Sequence, residues 1–193
     1  MLPPATAGDT EGPRMDVRQA IRGRRSVGAF SDRAVPRATV AELIEAATWA
    51  PTHHLTQPWR FTVLAGEARA ALAEAIVAAD PAAGVARTAH AKLTRAPVCV
   101  VVGQHVPPDA DPILEREDYA ACACAVQNLL LAAQAAGLAS KWSTGALAES
   151  DAAKRHLDLG PGDRIVAYVY LGYGLAPLGE GERAAPAVDW RGL

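Results

Sequence analysis

The sequence predicts one α+β domain in three layers, and three observations lead there. Residues 97–103, Pro-Val-Cys-Val-Val-Val-Gly, form a continuous apolar run of strand length, as expected of a central strand covered on both faces. Ile165 to Leu171 alternates and is rich in β-branched residues, so it reads as another strand. Helical repeats surround these strands without strict βαβ alternation, which favours a mixed sheet-and-helix sandwich over a doubly wound sheet.

In chain order, residues 1–14 read as a disordered leader rich in proline, glycine and mixed charge, and residues 15–193 as a single domain. Asp16 to Arg22 carries Val17, Ala20 and Ile21 as one apolar stripe of a short helix, closed by Gly23 and the basic turn Arg24-Arg25-Ser26. Pro36 suits the start of a second helix, whose repeat is Val40, Leu43, Ile44 and Ala47 and which ends at Pro51. Trp59 to Leu64 is strand-like, Glu67 to Ala79 helical, Ala86 to Arg95 helical, and Pro97 to Gly103 the apolar strand. From about Glu115 to Ala136 runs a long proline-free helix, apolar nearly all round from Tyr119 onward. Such a helix has to be covered on most sides, by its own sheet or by another subunit. Gly137 is placed to cap it. Ala139 to Ser143 reads as a strand, Ser150 to Leu157 as a helix capped by Ser150 or Asp151, and the Ile165 strand follows.

Composition prunes the functions. The net charge is −2 and basic residues are scattered singly, which argues against nucleic acid. No apolar run reaches the roughly 18–20 residues of a membrane span, and the first residues lack a signal peptide's apolar stretch, so the expected compartment is the cytoplasm. Cys99, Cys122 and Cys124 are odd in number and suggest no disulfide framework. Cys122 and Cys124, two apart on a helix, diverge and do not form a metal site. There is no strand-to-helix GxGxxG, P-loop, HExxH or GxSxG. An enzyme of this composition needs a bound organic cofactor to supply its chemistry.

Three segments carry a positive signal, each with a plainer reading. Arg24-Arg25-Ser26 offers two guanidiniums and a hydroxyl to a phosphate, or is a solvated basic turn at a helix C-terminus. Ala50-Pro-Thr-His-His-Leu-Thr-Gln-Pro-Trp59 is a stiff polar loop able to border a heteroaromatic ring, or a surface loop beside ordinary packing. Lys141-Trp-Ser-Thr-Gly-Ala146 can present backbone N–H groups to a ligand where glycine permits close approach, or is an ordinary strand end.

Taken in this order and spacing, these segments resemble the nitroreductase family of FMN-dependent oxidoreductases, in its minimal-length branch. The likeness runs from about Asp16 to Gly174. It implies a three-layer sandwich with a mostly antiparallel central sheet, and a homodimer with two FMN sites at the subunit interface. It also implies a ping-pong reaction that passes electrons from NAD(P)H through flavin N5 to a nitroaromatic, quinone or similar small acceptor. A flavin-storing protein with little turnover is the alternative. By the same likeness Arg24, Arg25 and Ser26 face the phosphate and ribityl chain, Trp49 and His53 border the flavin, and Trp142, Ser143, Thr144 and Gly145 line its other side. Arg183 is left outside this set, although late basic residues of some relatives meet the phosphate. No side chain is assigned a catalytic role and no metal is expected. The chain departs from the family pattern at Gly28, where many members carry a basic residue, at Leu55 in place of an asparagine, and at Ser143 in place of an arginine.

Overall fold

The computed structural model describes residues 15–176, 179 and 181–192. The leader expected over residues 1–14 lies outside them. Ten helices and strands follow in order among the described residues: α1 (Val17–Gly23), α2 (Arg37–Thr48), β1 (Trp59–Ala65), α3 (Glu67–Ala79), α4 (Ala86–Leu93), β2 (Val98–Gln104), α5 (Pro112–Ala135), β3 (Ala139–Ser143), α6 (Asp151–His156) and β4 (Arg164–Gly172). The four strands form one sheet in the order β1-β2-β4-β3, with every pair antiparallel.

β2 and β4 occupy the centre because they are apolar on both faces, and β2 is buried along its whole length. Their side chains divide by alternation. Cys99, Val101, Tyr168 and Tyr170 face Leu72, Ile76, Ala89 and Leu93 of α3 and α4. Val98, Val100, Val102 and Val169 face Val40 and Leu43 of α2 and Val126 and Leu129 of α5. Two helical layers therefore enclose the sheet. Burial pushes the Cys99 thiol up to about 12, as suits a cysteine that only packs. Cys122 is buried and Cys124 exposed, so the pair diverges.

α5 begins three residues earlier than the periodicity suggests. Asp111 caps it by accepting the Ile113 N–H at 2.7 Å, and Pro112 sits at the start of the helix, where its missing N–H is harmless. Its end is a Schellman turn. Gly137 takes φ +71°, its N–H reaches the Gln134 carbonyl and the Leu138 N–H reaches that of Ala133. The protomer covers more of this helix than its composition suggests. Ala121 and Cys122 are buried, and Ala125, Val126, Leu129, Leu130 and Ala133 are buried among residues of α2 and the sheet. Along the middle of the helix a narrow stripe at helical spacing stays exposed, Ala120, Cys124 and Gln127, beside Tyr119.

Candidate functional site

α1 is a short helix opened by a capping box, in which the Asp16 N–H donates to Gln19 Oε1 at 3.1 Å. After Arg24 closes it, the backbone extends. Ser26 bridges Ser140 of β3, and the Val27 N–H donates to the Ser140 carbonyl at 3.0 Å. An extended segment alternates its side chains, which sets Arg24 and Ser26 to one side and Arg25 with the buried Val27 to the other. Arg25 Nη1 donates to the carbonyls of Arg22 at 2.5 Å and Arg24 at 2.9 Å, so it caps the open end of α1. Its guanidinium also lies against Gly181, where a Cβ would collide with it. A cavity of about 770 Å³ opens here, lined by Ile21, Arg22, Gly23, Arg25, Gly181 and Arg183 among others. The late Arg183 thus shares a cavity with Arg25.

From Ser140 the edge strand β3 leads to the third motif. Trp142 is half-buried against the α5 side of the core and donates its indole N–H to the Val166 carbonyl at 3.2 Å, so its side chain packs inward. Ser143 pairs with Tyr168 at the strand end. Thr144 and Gly145 are exposed, and Gly145 takes φ +79°, a conformation glycine alone adopts freely. Nothing lies within 4 Å of where its Cβ would be, so a ligand can approach the backbone. Gly145 lies five positions beyond Ser140, at most roughly 16 Å along extended chain. Thr144 and Gly145 also open onto a cavity of about 560 Å³ whose walls include Tyr119, Lys154 and Arg164. Lys154 and Arg164 supply this cavity with positive charge.

The second motif is elsewhere. Trp49 ends α2 with its ring 78% exposed and its indole N–H donated to Glu45 Oε1 at 2.6 Å. His53 opens a 3-10 turn over His53–Leu55, with Nε2 3.8 Å from the Glu117 carboxylate and its ring edge-on to His54. The backbone here is demanding. His54, Leu55 and Gln57 all take positive φ, between 45° and 56°, at about 1–2 kcal/mol for each non-glycine residue. Thr56 donates to the buried Asp118 carboxylate at 2.6 Å.

α5 measures the distance between these regions. His53 and Thr56 meet it at Glu117 and Asp118, whereas Gly23 approaches Gln134, sixteen residues beyond Asp118. At 1.5 Å per residue that is roughly 24 Å. Within one protomer Arg24 and Ser26 are therefore linked to residues 142–145 along the edge strand β3, and the His53 loop stands well away from the Arg24 turn.

A profile described as the Nitroreductase family matches residues 21–173, spanning the Arg24 turn, the His53 loop and the Gly145 turn. The chain belongs to the nitroreductase family. Among relatives, "Putative NAD(P)H nitroreductase YdjA" of Escherichia coli (strain K12) is 33% identical over 166 residues, covering 82% of this chain and 88% of that protein. The nitroreductase-like protein from Bacillus cereus superposes with a TM-score of 0.80 at 30% identity, over 92% of this chain and 95% of that one. A nitroreductase-fold protein from Desulfovibrio desulfuricans, solved in complex with FMN, is 29% identical with a TM-score of 0.68, over 91% and 94% of the two chains. These likenesses carry the antiparallel α+β sandwich as well as the family.

Three polar residues at the His53 loop escape a motif search: Thr52, Thr56 and Asp118. Asp118 did leave a trace. It lies at helical spacing with Cys122, Val126 and Leu129, a lone carboxylate on the buried stripe of α5. Among the described residues no three His, Cys, Asp or Glu side chains are placed to hold a metal ion, and no helix is long and apolar enough to cross a membrane.

Proposed function

We propose that this chain is an FMN-dependent oxidoreductase that passes electrons from NAD(P)H to a small organic acceptor of the nitroaromatic or quinone kind. It would act as a two-fold dimer whose flavin sites each draw on both copies. Family membership supports the NAD(P)H-dependent oxidoreductase class, and the FMN-bound Desulfovibrio relative supports the cofactor. The observation that carries the reading is the continuous path from Arg24 and Ser26 through Ser140 to Gly145. A cation and a hydroxyl stand at one end of it, and an open backbone with positive φ at the other.

The residues present fit the nucleotide. Arg24 and Ser26 share a side of the extended segment and would bind the phosphate by charge-assisted bonds, while Arg25 orders the turn by holding the carbonyls of α1. The backbone of Trp142 to Gly145 would line the ring edge, with Trp142 itself fixed by Val166. His53 of the same chain stands too far along α5 from the Arg24 turn. A second copy running along α5 in the opposite sense would bring its own Trp49 and His53 to the ring, where the exposed indole and imidazole exclude water. When bound, FMN supplies a carrier that takes hydride at N5 and hands electrons on, so no side chain needs to be a nucleophile or strong base. The protein's share is alignment and electrostatic support.

Heat-released cofactor should chromatograph as FMN, and anaerobic NADH or NADPH should bleach it rapidly. Release of FAD, or no uptake from excess FMN, overturns the assignment, and slow bleaching favours flavin storage. Light scattering should give about twice the 20.1 kDa chain mass. Mixing Arg24→Ala chains with chains carrying Trp49→Ala and His53→Ala tests the shared site. Heterodimers should regain one intact flavin site of two, whereas a site built within one chain would regain none.

A further inference from the structure

Loop 52–57 places three non-glycine residues in the left-handed region within four positions, so something outside the local backbone has to hold it. A single backbone hydrogen bond, Thr56 N–H to the His53 carbonyl at 3.1 Å, spans it. The remaining ties are side-chain bonds in series. A carboxylate only accepts, so at 2.6 Å Thr56 donates its hydroxyl proton to Asp118 Oδ1. Thr56 then has only lone pairs to offer Thr52, which donates at 2.9 Å. Thr52 Oγ1 in turn receives the Gln57 N–H at 3.1 Å. The order of donation is thereby determined along the whole chain, from Gln57 N–H through Thr52 and Thr56 to a carboxylate 6% exposed on α5.

We propose that Thr52, Thr56 and Asp118 are positioning residues that hold the strained 52–57 loop against α5 and thereby fix His53 as a wall of the flavin site. This rests on the reading that His53 borders the flavin. Asp118 is the anchor: it is buried, and its neighbour Glu117 faces His53 from the same turn of α5. The loop is thus tied to α5 by two consecutive residues, one of them through a hydroxyl relay.

The test uses the isosteric Thr52→Val and Thr56→Val variants, which delete a hydroxyl and keep the shape, with Thr52→Ser and Thr56→Ser as rescue. In the flavin-free protein, NMR amide exchange at Gln57 should speed up about tenfold or more in Thr52→Val, by a smaller factor in Thr56→Val, and return to within twofold of wild type in the Ser variants. FMN affinity by fluorescence titration should fall several-fold in both Val variants and recover with Ser. Gln57 exchange unchanged in both Val variants overturns the relay. Faster exchange with unchanged FMN affinity overturns the positioning role. Failure of the underlying reading looks different: wild type would then take up no FMN, which removes the positioning role, while the exchange data on the flavin-free chain still decide the tether.

Discussion

Between Arg24 and Val27 the chain is held by main-chain pairing to β3. Between Thr52 and Gln57 it is held by hydroxyls and a distant carboxylate, against the preference of its own backbone. In the proposed dimer both segments border the flavin, and they differ in what a substitution can reach. Main-chain bonds survive the loss of a side chain, so the Arg24 turn keeps its shape and loses only its ligand contact. The His53 loop depends on particular side chains, so changes there alter shape first. The first region is suited to holding a cofactor, and the second to being tuned.

Arg24→Ala probes that contrast with the largest expected effect. Truncating one partner of a buried charge pair costs about 2–5 kcal/mol, so FMN binding should weaken roughly 30-fold or more, at 1.4 kcal/mol per tenfold. The melting temperature should barely move, because the backbone pairing of Val27 with Ser140 remains. Fluorescence titration within a few-fold of wild type would make the turn a solvated one.

Arg25→Ala should divide from Arg24→Ala. It deletes two hydrogen bonds from a charged donor to carbonyls, at about 1–3 kcal/mol in all. The loss should appear in the denaturation midpoint more than in FMN affinity. Equal losses of affinity in the two variants would show that both arginines reach the phosphate.

Gly145→Ala places a side chain at φ +79° at a cost of about 1–2 kcal/mol. Open space around the missing Cβ leaves the free protein otherwise untouched. FMN affinity should therefore fall by more than the strain alone predicts, since the Cβ projects where the ligand approaches. A loss confined to stability would remove this turn from the site.

The smallest effect belongs to the strained loop. Leu55→Gly relieves about 1–2 kcal/mol of left-handed strain and gives back about 0.4–1 kcal/mol through the freer unfolded chain. A slight rise in thermal stability should accompany slower flavin reduction by NAD(P)H. Lower stability would mean that the exposed Leu55 side chain contributes packing that outweighs its strain.

Much of the fold was legible because its signals are local. α3 and β3 have the bounds that periodicity and propensity predict, and the fully apolar β2 announced burial on both faces. The start of α5 at Asp111-Pro112 was readable as a cap followed by a first-turn proline. The apolar character of α5 left open whether its own sheet or a partner subunit covers it, and α2 and the sheet supply much of that cover within one chain. Composition says that a helix must be covered and does not say by what.

What the sequence by itself determined are the features written within a few residues: the elements, the burial of β2 and β4, the basic turn after α1 and the glycine that Gly145 has to be. Only the tertiary structure decided that Arg25 turns away from Arg24 to cap its own helix, and that Ser26 pairs with Ser140. It also set the His53 loop far along α5 from the Arg24 turn, with Asp118 anchoring Thr56 across 62 positions of chain. The physical reason is that periodicity reports which face of an element is apolar. Which polar groups meet across the fold is decided by how the layers close, because every group buried there has to find a partner.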